Sequence, residues 1–308
     1  MSRVVNGKAV RADLAERVGA SISSLGFRPS RTAQRMRTLR SHLLALIVPD
    51  FENAFFTRVA RGLEEVGRPR DSFVFIGSSD DDPQKEQHYL NVALAERVGG
   101  IVIAPTTQTQ SLGGLKDSGI PVVLIDQAIP GSGFDTVVTD NRAGGRMGAT
   151  RIRSEGMHRL VCIAGPPNPT STARLDGAMD VVNEGGDLAV QAIEYGDNRV
   201  AGGYEAMKRL ISQRVRFDSV FVTNNLMAVG AVNALRDLMP DKVDSVEVVG
   251  FDLKEMTWVP RGKIASVDQN AKQIGLIAGE HIFGQQEDSN GVGELTELAP
   301  SLSLLSHK

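Results

Sequence analysis

Polar side chains able to grip a small hydroxylated ligand recur at one kind of place in this sequence, just beyond short apolar runs. They are Asp50 and Asn53, Thr106 and Thr107, Asp126, Asp140 and Asn141, Asn224 and Asn225, and Asp252. Carboxylates and amides accept or donate hydrogen bonds in pairs, which matches vicinal hydroxyls, and an aromatic ring covers the apolar face of a pyranose or furanose. Phe55 and Phe56, next to Asn53, could supply that ring, with one ring turned inward and one toward a ligand. Taken singly, each Asp or Asn is better explained as the cap of a following helix. As a set they favour a polar-ligand cleft.

Bond-making chemistry has no comparable support. There is no P-loop, and no strand is followed by Gly-x-Gly-x-x-Gly. His42, His88, His158, His281 and His307 show neither zinc-pair spacing nor a Gly-x-Ser-x-Gly elbow, so they read as surface or packing residues. Asp80, Asp81 and Asp82 before Pro83 read as a solvated helix entry. We therefore expect a binding protein rather than an enzyme, with no metal and no cofactor. Cys162, the single cysteine, lies in an apolar run and reads as a small buried hydrophobe, and no intrachain disulfide is possible.

The elements that must position these residues follow from hydrophobic periodicity. Apolar runs at 43–49, 73–77, 100–104 and 121–126 alternate with helical patterns at 53–66, 83–97 and 110–118. Buried parallel strands separated by helices read in this way. The rhythm resumes with strands at 159–165, 192–195, 219–223 and 246–251, and helices at 173–183, 202–212, 226–238 and 271–283. The fold class is α/β, with two doubly wound parallel-sheet lobes. Lobe one spans about 42–141 with a C-terminal return, and lobe two about 142–270. In such sheets ligands bind beyond the carboxyl ends of the strands, where the polar set lies.

With 308 residues and 41% hydrophobic content, the chain is long enough for two packed lobes. Its charge is uneven. Residues 1–41 carry nine Lys or Arg against Asp13 and Glu16, a net of +7 in a chain whose total is −3, so the remainder carries −10. A basic head on an acidic body suits a protein that meets phosphates at one end. No apolar stretch is long enough to span a bilayer, and a cytoplasmic location is expected.

Ordered motifs then point to a family. They include 2–8 (SRVVNGK), 25–30 (LGFRPS), 33–36 (AQRM), 48–56, 79–83, 120–126 (IPVVLID), 140–144 (DNRAG), 171–177 (STARLDG), 224–231 (NNLMAVGA), 249–252 (VGFD) and 267–269 (VDQ). Over almost its whole length the chain resembles the lactose-repressor (LacI) family of bacterial transcription regulators, whose effector domain is similar to periplasmic sugar-binding proteins. The resemblance implies effector contacts at Asn53, Phe55, Phe56, Asp126, Arg174, Asn224, Asp252 and Gln269. Two departures, Gln127 and Asn225, each remove a charge that many relatives carry in the pocket. Within 67–70, Pro69 should end the first helix early.

At the front, the resemblance implies that the chain starts near the end of a recognition helix, so that the DNA-reading head is incomplete. A third head helix is expected near 11–24 and a hinge helix near 31–38. DNA contacts are implied at Arg3, Asn6, Arg31, Gln34 and Met36, with Met36 as a minor-groove wedge. Residues 1–41 are thus expected as head and hinge, and 42–308 as an effector-binding and dimerisation domain. The expected partners are operator DNA, a small sugar or sugar derivative, and a second copy of the chain. The competing reading is a sugar-binding receptor with no DNA-binding role.

Overall fold

The computed structural model describes residues 10–25, 41–106, 112–255, 263–287 and 293–305. The chain divides into two compact units, residues 1–42 and 43–308. In the first unit a helix, α1 (Ala12–Ser24), starts with Asp13 in its first turn, where a negative charge suits the helix dipole. Arg11 pairs with Asp13 at 2.9 Å, and Leu14 is 41% exposed. The hinge segment and the residues Arg3, Asn6, Arg31, Gln34 and Met36 lie outside the described residues.

The second unit holds two six-stranded sheets. The first has the order β11-β5-β4-β3-β1-β2, from β1 (Leu43–Val48), β2 (Phe73–Ser78), β3 (Gly100–Ile103), β4 (Val122–Ile125), β5 (Asp135–Thr139) and β11 (Leu295–Leu298). The second has the order β12-β10-β9-β8-β6-β7, from β6 (Arg159–Ala164), β7 (Ala189–Tyr195), β8 (Ser219–Val222), β9 (Glu247–Phe251), β10 (Lys263–Asp268) and β12 (Ser301–Leu304). All pairings are parallel except β10 with β12.

Each sheet is buried on both faces at its central strands, where nearly every position is apolar. In β1, Leu44, Leu46 and Val48 join one core while Ala45 and Ile47 join the other. Likewise Val161 and Ile163 of β6 face one way, and Leu160 and Cys162 the other. Burial pushes the Cys162 thiol up to about 12, so it stays protonated and inert.

The helices are α2 (Ala54–Gly67), α3 (Pro83–Ala95), α4 (Asn141–Ser154), α5 (Pro169–Asn183), α6 (Val200–Ser212), α7 (Asn225–Leu238) and α8 (Ala271–Glu287). Three helix pairs meet through reciprocal glycines that admit a neighbouring backbone. A Cβ at Gly145 would lie 2.0 Å from the Arg174 carbonyl oxygen, and one at Gly177 2.0 Å from that of Arg142, joining α4 to α5. Gly203 and Gly230 join α6 to α7 in this way, and Gly62 and Gly275 join α2 to α8.

Residues 141–154 form α4, which packs on α5 in the second lobe. The helix expected at 110–118 is a 3-10 turn over Gly113–Ser118, and Gly113, Gly114 and Gly119 explain its brevity. Pro69 lies in a 3-10 turn, Arg68–Arg70, beyond the end of α2. After β10 the chain returns to the first lobe through α8 and β11, then crosses once more so that β12 edges the second sheet. That last crossing has a weak sequence signal, because β12 alternates Ser with Leu and is largely exposed.

Candidate binding cleft

The carboxyl ends of both sheets open on one cleft with an internal volume of about 80 Å³. From the first lobe its wall takes Asp50, Asn53, Phe55, Phe56, Asp81, Asp126 and Gln127. From the second it takes Asn168, Thr170, Arg174, Arg199, Asn224, Asn225 and Gln269, among others. β1, β6 and β8 each end where the next helix begins, so cap residues and wall residues coincide there. Asn53 caps α2 by accepting from the Phe55 N–H at 3.0 Å, and Asn224 caps α7 by accepting from the Met227 N–H at 3.1 Å. These asparagines therefore cap their helices and line the cleft at once. Asp140, in contrast, is a cap for α4, accepting from the Ala143 N–H at 2.8 Å, and is not part of the wall.

Arg174 is the most constrained wall residue. It is 4% exposed, and its guanidinium lies 4.0 Å from the centroid of the Phe251 ring. Its Nε donates to Asn141 Oδ1 at 2.8 Å, its Nη1 to the Thr223 carbonyl at 2.8 Å, and its Nη2 to Gln269 Oε1. Stacking on a ring and three hydrogen bonds hold the planar group in one orientation. Burial lowers its pKa to about 10, opposed by the charges of Asp126 and Asp252, so it remains a cation at neutral pH.

Asp252 stands behind this arrangement. Its carboxylate accepts from the Gln269 backbone N–H at 2.9 Å and from Gln269 Nε2, and at 2% exposure it is not part of the wall. It orients Gln269, which in turn holds Arg174. Burial raises the Asp252 carboxyl, and hydrogen bonds from Gln269 and the charge of Arg174 oppose the rise. On the opposite wall, desolvation pushes Asp126 up to about 6, against the pull of Arg174. Asp126 also has a left-handed backbone, φ +68°, which lets the chain turn sharply out of β4.

Among the described residues, three sets of bonds cross the cleft. Asn225 Nδ2 donates to Asn53 Oδ1 at 2.7 Å, and the Thr170 hydroxyl donates to the Asp126 carbonyl at 2.9 Å. Arg199 pairs with Asp50 and, at 3.5 Å, with Asp81.

Seven of the eight residues assigned by resemblance thus line one cleft, with Asp252 as the exception. Phe55 and Phe56 do not divide between core and cleft. Both are buried, meet edge-to-face at 5.0 Å, and contribute to the core as well as the wall. Sequence reasoning passed over Asn168, Thr170, Asn198, Arg199 and the cleft-facing role of Asp81. Asn198 and Arg199 follow the carboxyl end of β7, so the strand-end rule that found the others could have found them. Within the acidic turn, Asp82 caps α3 through the Gln84 N–H at 2.8 Å and Asp80 pairs with Lys85 at 2.6 Å, leaving Asp81 for the cleft. Among the described residues no group of His, Cys, Asp and Glu is arranged to hold a metal, and no helix is long and apolar enough to cross a membrane.

Two doubly wound lobes sharing a polar cleft define the two-lobed binding-protein class. A family model, the periplasmic binding protein domain, matches residues 44–281. The chain belongs to that family and is a transcription regulator of the LacI family. The HTH-type transcriptional regulator GalS of Salmonella typhimurium is 29% identical over 256 residues, 82% of this chain and 75% of that protein. The Cra transcriptional dual regulator from Pseudomonas putida, solved in complex with fructose 1-phosphate, superposes with a TM-score of 0.79 at 23% identity, over 86% of this chain and 99% of that one. The Lac repressor bound to ONPG in its repressed state gives a TM-score of 0.83 at 20% identity, over 98% and 93%. At these identities the structural likenesses show the fold. The curated relatives are transcription regulators, not enzymes.

Proposed function

We propose that the protein is a repressor whose operator affinity is set by a small sugar or sugar derivative bound between its lobes. The observation carrying this reading is the Arg174 arrangement. A buried guanidinium is held by Phe251, Asn141, Thr223 and Gln269 and faces a first-lobe wall of Asn53, Phe55, Phe56 and Asp126. Such a pair of walls offers acceptors on one side, fixed donors on the other, and a ring edge between them. A polyol can satisfy all three. In this reading Asn53, Phe55, Phe56, Asp126, Arg174, Asn224 and Gln269 contact the effector, and Asp252 acts through Gln269.

Residues 1–41 are assigned the DNA-facing role, with Arg3, Asn6, Arg31, Gln34 and Met36 as contacts. Residues 42–308 bind effector and pair with a second copy of the chain, in the cytoplasm where the operator lies. Effector-linked closure of the lobes changes how two hinge segments pair and so changes operator affinity. Calorimetry against pentoses, hexoses and their phosphorylated forms identifies the effector. A gel-shift titration with and without that sugar then tests the regulatory role. Sugar binding with no effect on any DNA complex would instead favour a receptor. Light scattering at tens of micromolar, an order-of-magnitude choice for a stable interface, should show a dimer, and a monomer would count against paired operator half-sites.

A further inference from the structure

We infer that Arg199 is a specificity-determining residue of the cleft: from the second lobe it clasps Asp50 and Asp81 of the first, and by offsetting their negative charge it suits the cleft to an uncharged ligand rather than a cationic one. The inference rests on the cleft being an effector site. Among the described residues, the wall is polarised. Its carboxylates, Asp50, Asp81 and Asp126, all come from the first lobe, and its guanidiniums, Arg174 and Arg199, both come from the second. The two arginines differ in their commitments. Arg174 spends its donors inside its own lobe, on Asn141, Thr223 and Gln269. Arg199 sends its guanidinium across the cleft, to Asp50 and Asp81.

Helix capping does not explain an arginine at this place. The other three cleft-facing helix starts carry asparagine caps, Asn53, Asn168 and Asn224. Arg199 occupies that position in α6, and a guanidinium has donors alone, so it cannot accept from the first-turn N–H groups. The turn that presents it is tightly built. Asn198 has φ +63°, Asp197 Oδ1 accepts from the Arg199 N–H at 2.9 Å, and a Cβ at Gly202 would fall 1.9 Å from that same oxygen.

The first-lobe partners are fixed too. Asp50 is buried, and its other oxygen accepts from the Glu52 N–H at 2.9 Å. Desolvation raises the Asp81 carboxyl, the neighbouring charges of Asp50 and Asp80 add to the rise, and Arg199 opposes it. Removing Arg199 would leave two neighbouring carboxylates uncompensated on the first-lobe wall, an arrangement that repels itself and attracts an amine.

The experiment uses the full chain as wild type, Arg199→Ala, and the double variant Arg199→Ala/Asp50→Asn. Small-angle scattering reads lobe separation. Arg199→Ala should be more expanded than wild type at low salt, and wild type should approach it at about 1 M salt, where such a pair is screened. Identical curves for wild type and Arg199→Ala would overturn the clasp. Calorimetry with D-ribose, D-glucose, D-galactose, D-glucosamine and D-galactosamine reads selectivity. The affinity ratio of amino sugar to parent hexose should rise about tenfold in Arg199→Ala, the effect of one uncompensated charge at a cleft edge. It should fall back in the double variant. Sugar binding with an unchanged ratio would overturn the role of Arg199 and leave the effector site standing. A wild type that binds none of the five probes would overturn the selectivity, and scattering alone would then decide the clasp.

Discussion

The two walls of the cleft are built on different physical plans. The second-lobe wall is preorganised from within. Arg174 is stacked on Phe251, bonded to Asn141, Thr223 and Gln269, and backed by Asp252 through Gln269. The first-lobe wall keeps less of its bonding inside its own lobe. Its Asn53, Asp50 and Asp126 complete their bonding with partners from the other lobe, Asn225, Arg199 and Thr170. One wall therefore presents a rigid donor array, while the other gains part of its order when the lobes meet. Binding that is split in this way couples recognition to closure, because the first wall is complete only with the second in place.

The largest test of that contrast is Arg174→Ala. It should cost about 2–4 kcal/mol of effector binding, since a fixed charged donor is lost and desolvated partners go unpaired. Calorimetry with the identified sugar measures it, and an unchanged affinity would remove Arg174 from the site. Next in size is a comparison of glycines. Gly145→Ala and Gly62→Ala each force a Cβ against a backbone carbonyl, at 2.0 Å and 2.2 Å. Each should lower stability by about 1–3 kcal/mol in denaturant melts. The carbonyl met by Gly145 is that of Arg174, so Gly145→Ala should also weaken effector binding, whereas Gly62→Ala should leave it nearly intact. Equal effects on binding would break the distinction between a preorganised wall and an adaptable one.

A smaller effect is expected at Asp126. Its folded carboxyl is raised from 3.8 to about 6, so between those values the folded chain holds a proton that the unfolded chain has released. Stability from this group is present at low pH and declines as pH rises through that window, by about 2 kcal/mol at most given its partial exposure. Asp126→Asn should flatten that part of the stability profile, as read by thermal melts between about pH 4 and pH 8. An unaltered profile would show that the carboxyl is better solvated than its surroundings imply. The smallest contrast concerns Asn53 and Asn225. Asn53→Ala removes both a helix cap and a cross-lobe bond and should cost about 1 kcal/mol of stability. Asn225→Ala removes the cross-lobe donor while leaving the Asn53 cap, so it should reduce effector affinity more than it reduces the melting temperature.

Much of this architecture is legible in the chain itself. Runs such as 43–48 and 160–164 are apolar at every position, as strands buried on both faces are, and their alternation with helical patterns points to two doubly wound sheets. The strand-end rule then collects Asn53, Asp126 and Asn224 without knowledge of their contacts, because a strand's carboxyl end is also where the next helix is capped. Tertiary structure decided what depends on residues distant in sequence. Asp252 and Asn224 share the same strand-end logic, yet one stands behind the wall and the other on it, because Gln269 intervenes. Asp80, Asp81 and Asp82 are indistinguishable by composition, and a residue 118 positions beyond Asp81 settles which of them faces the cleft. The third crossing into β12 is equally silent in sequence, since an exposed edge strand needs little apolar character and its partner β10 is chosen by where β11 ends. Local physics specifies which segments form strands and helices. Which side chains share a cleft is set by how the two sheets come together, and no spacing along the chain encodes that directly.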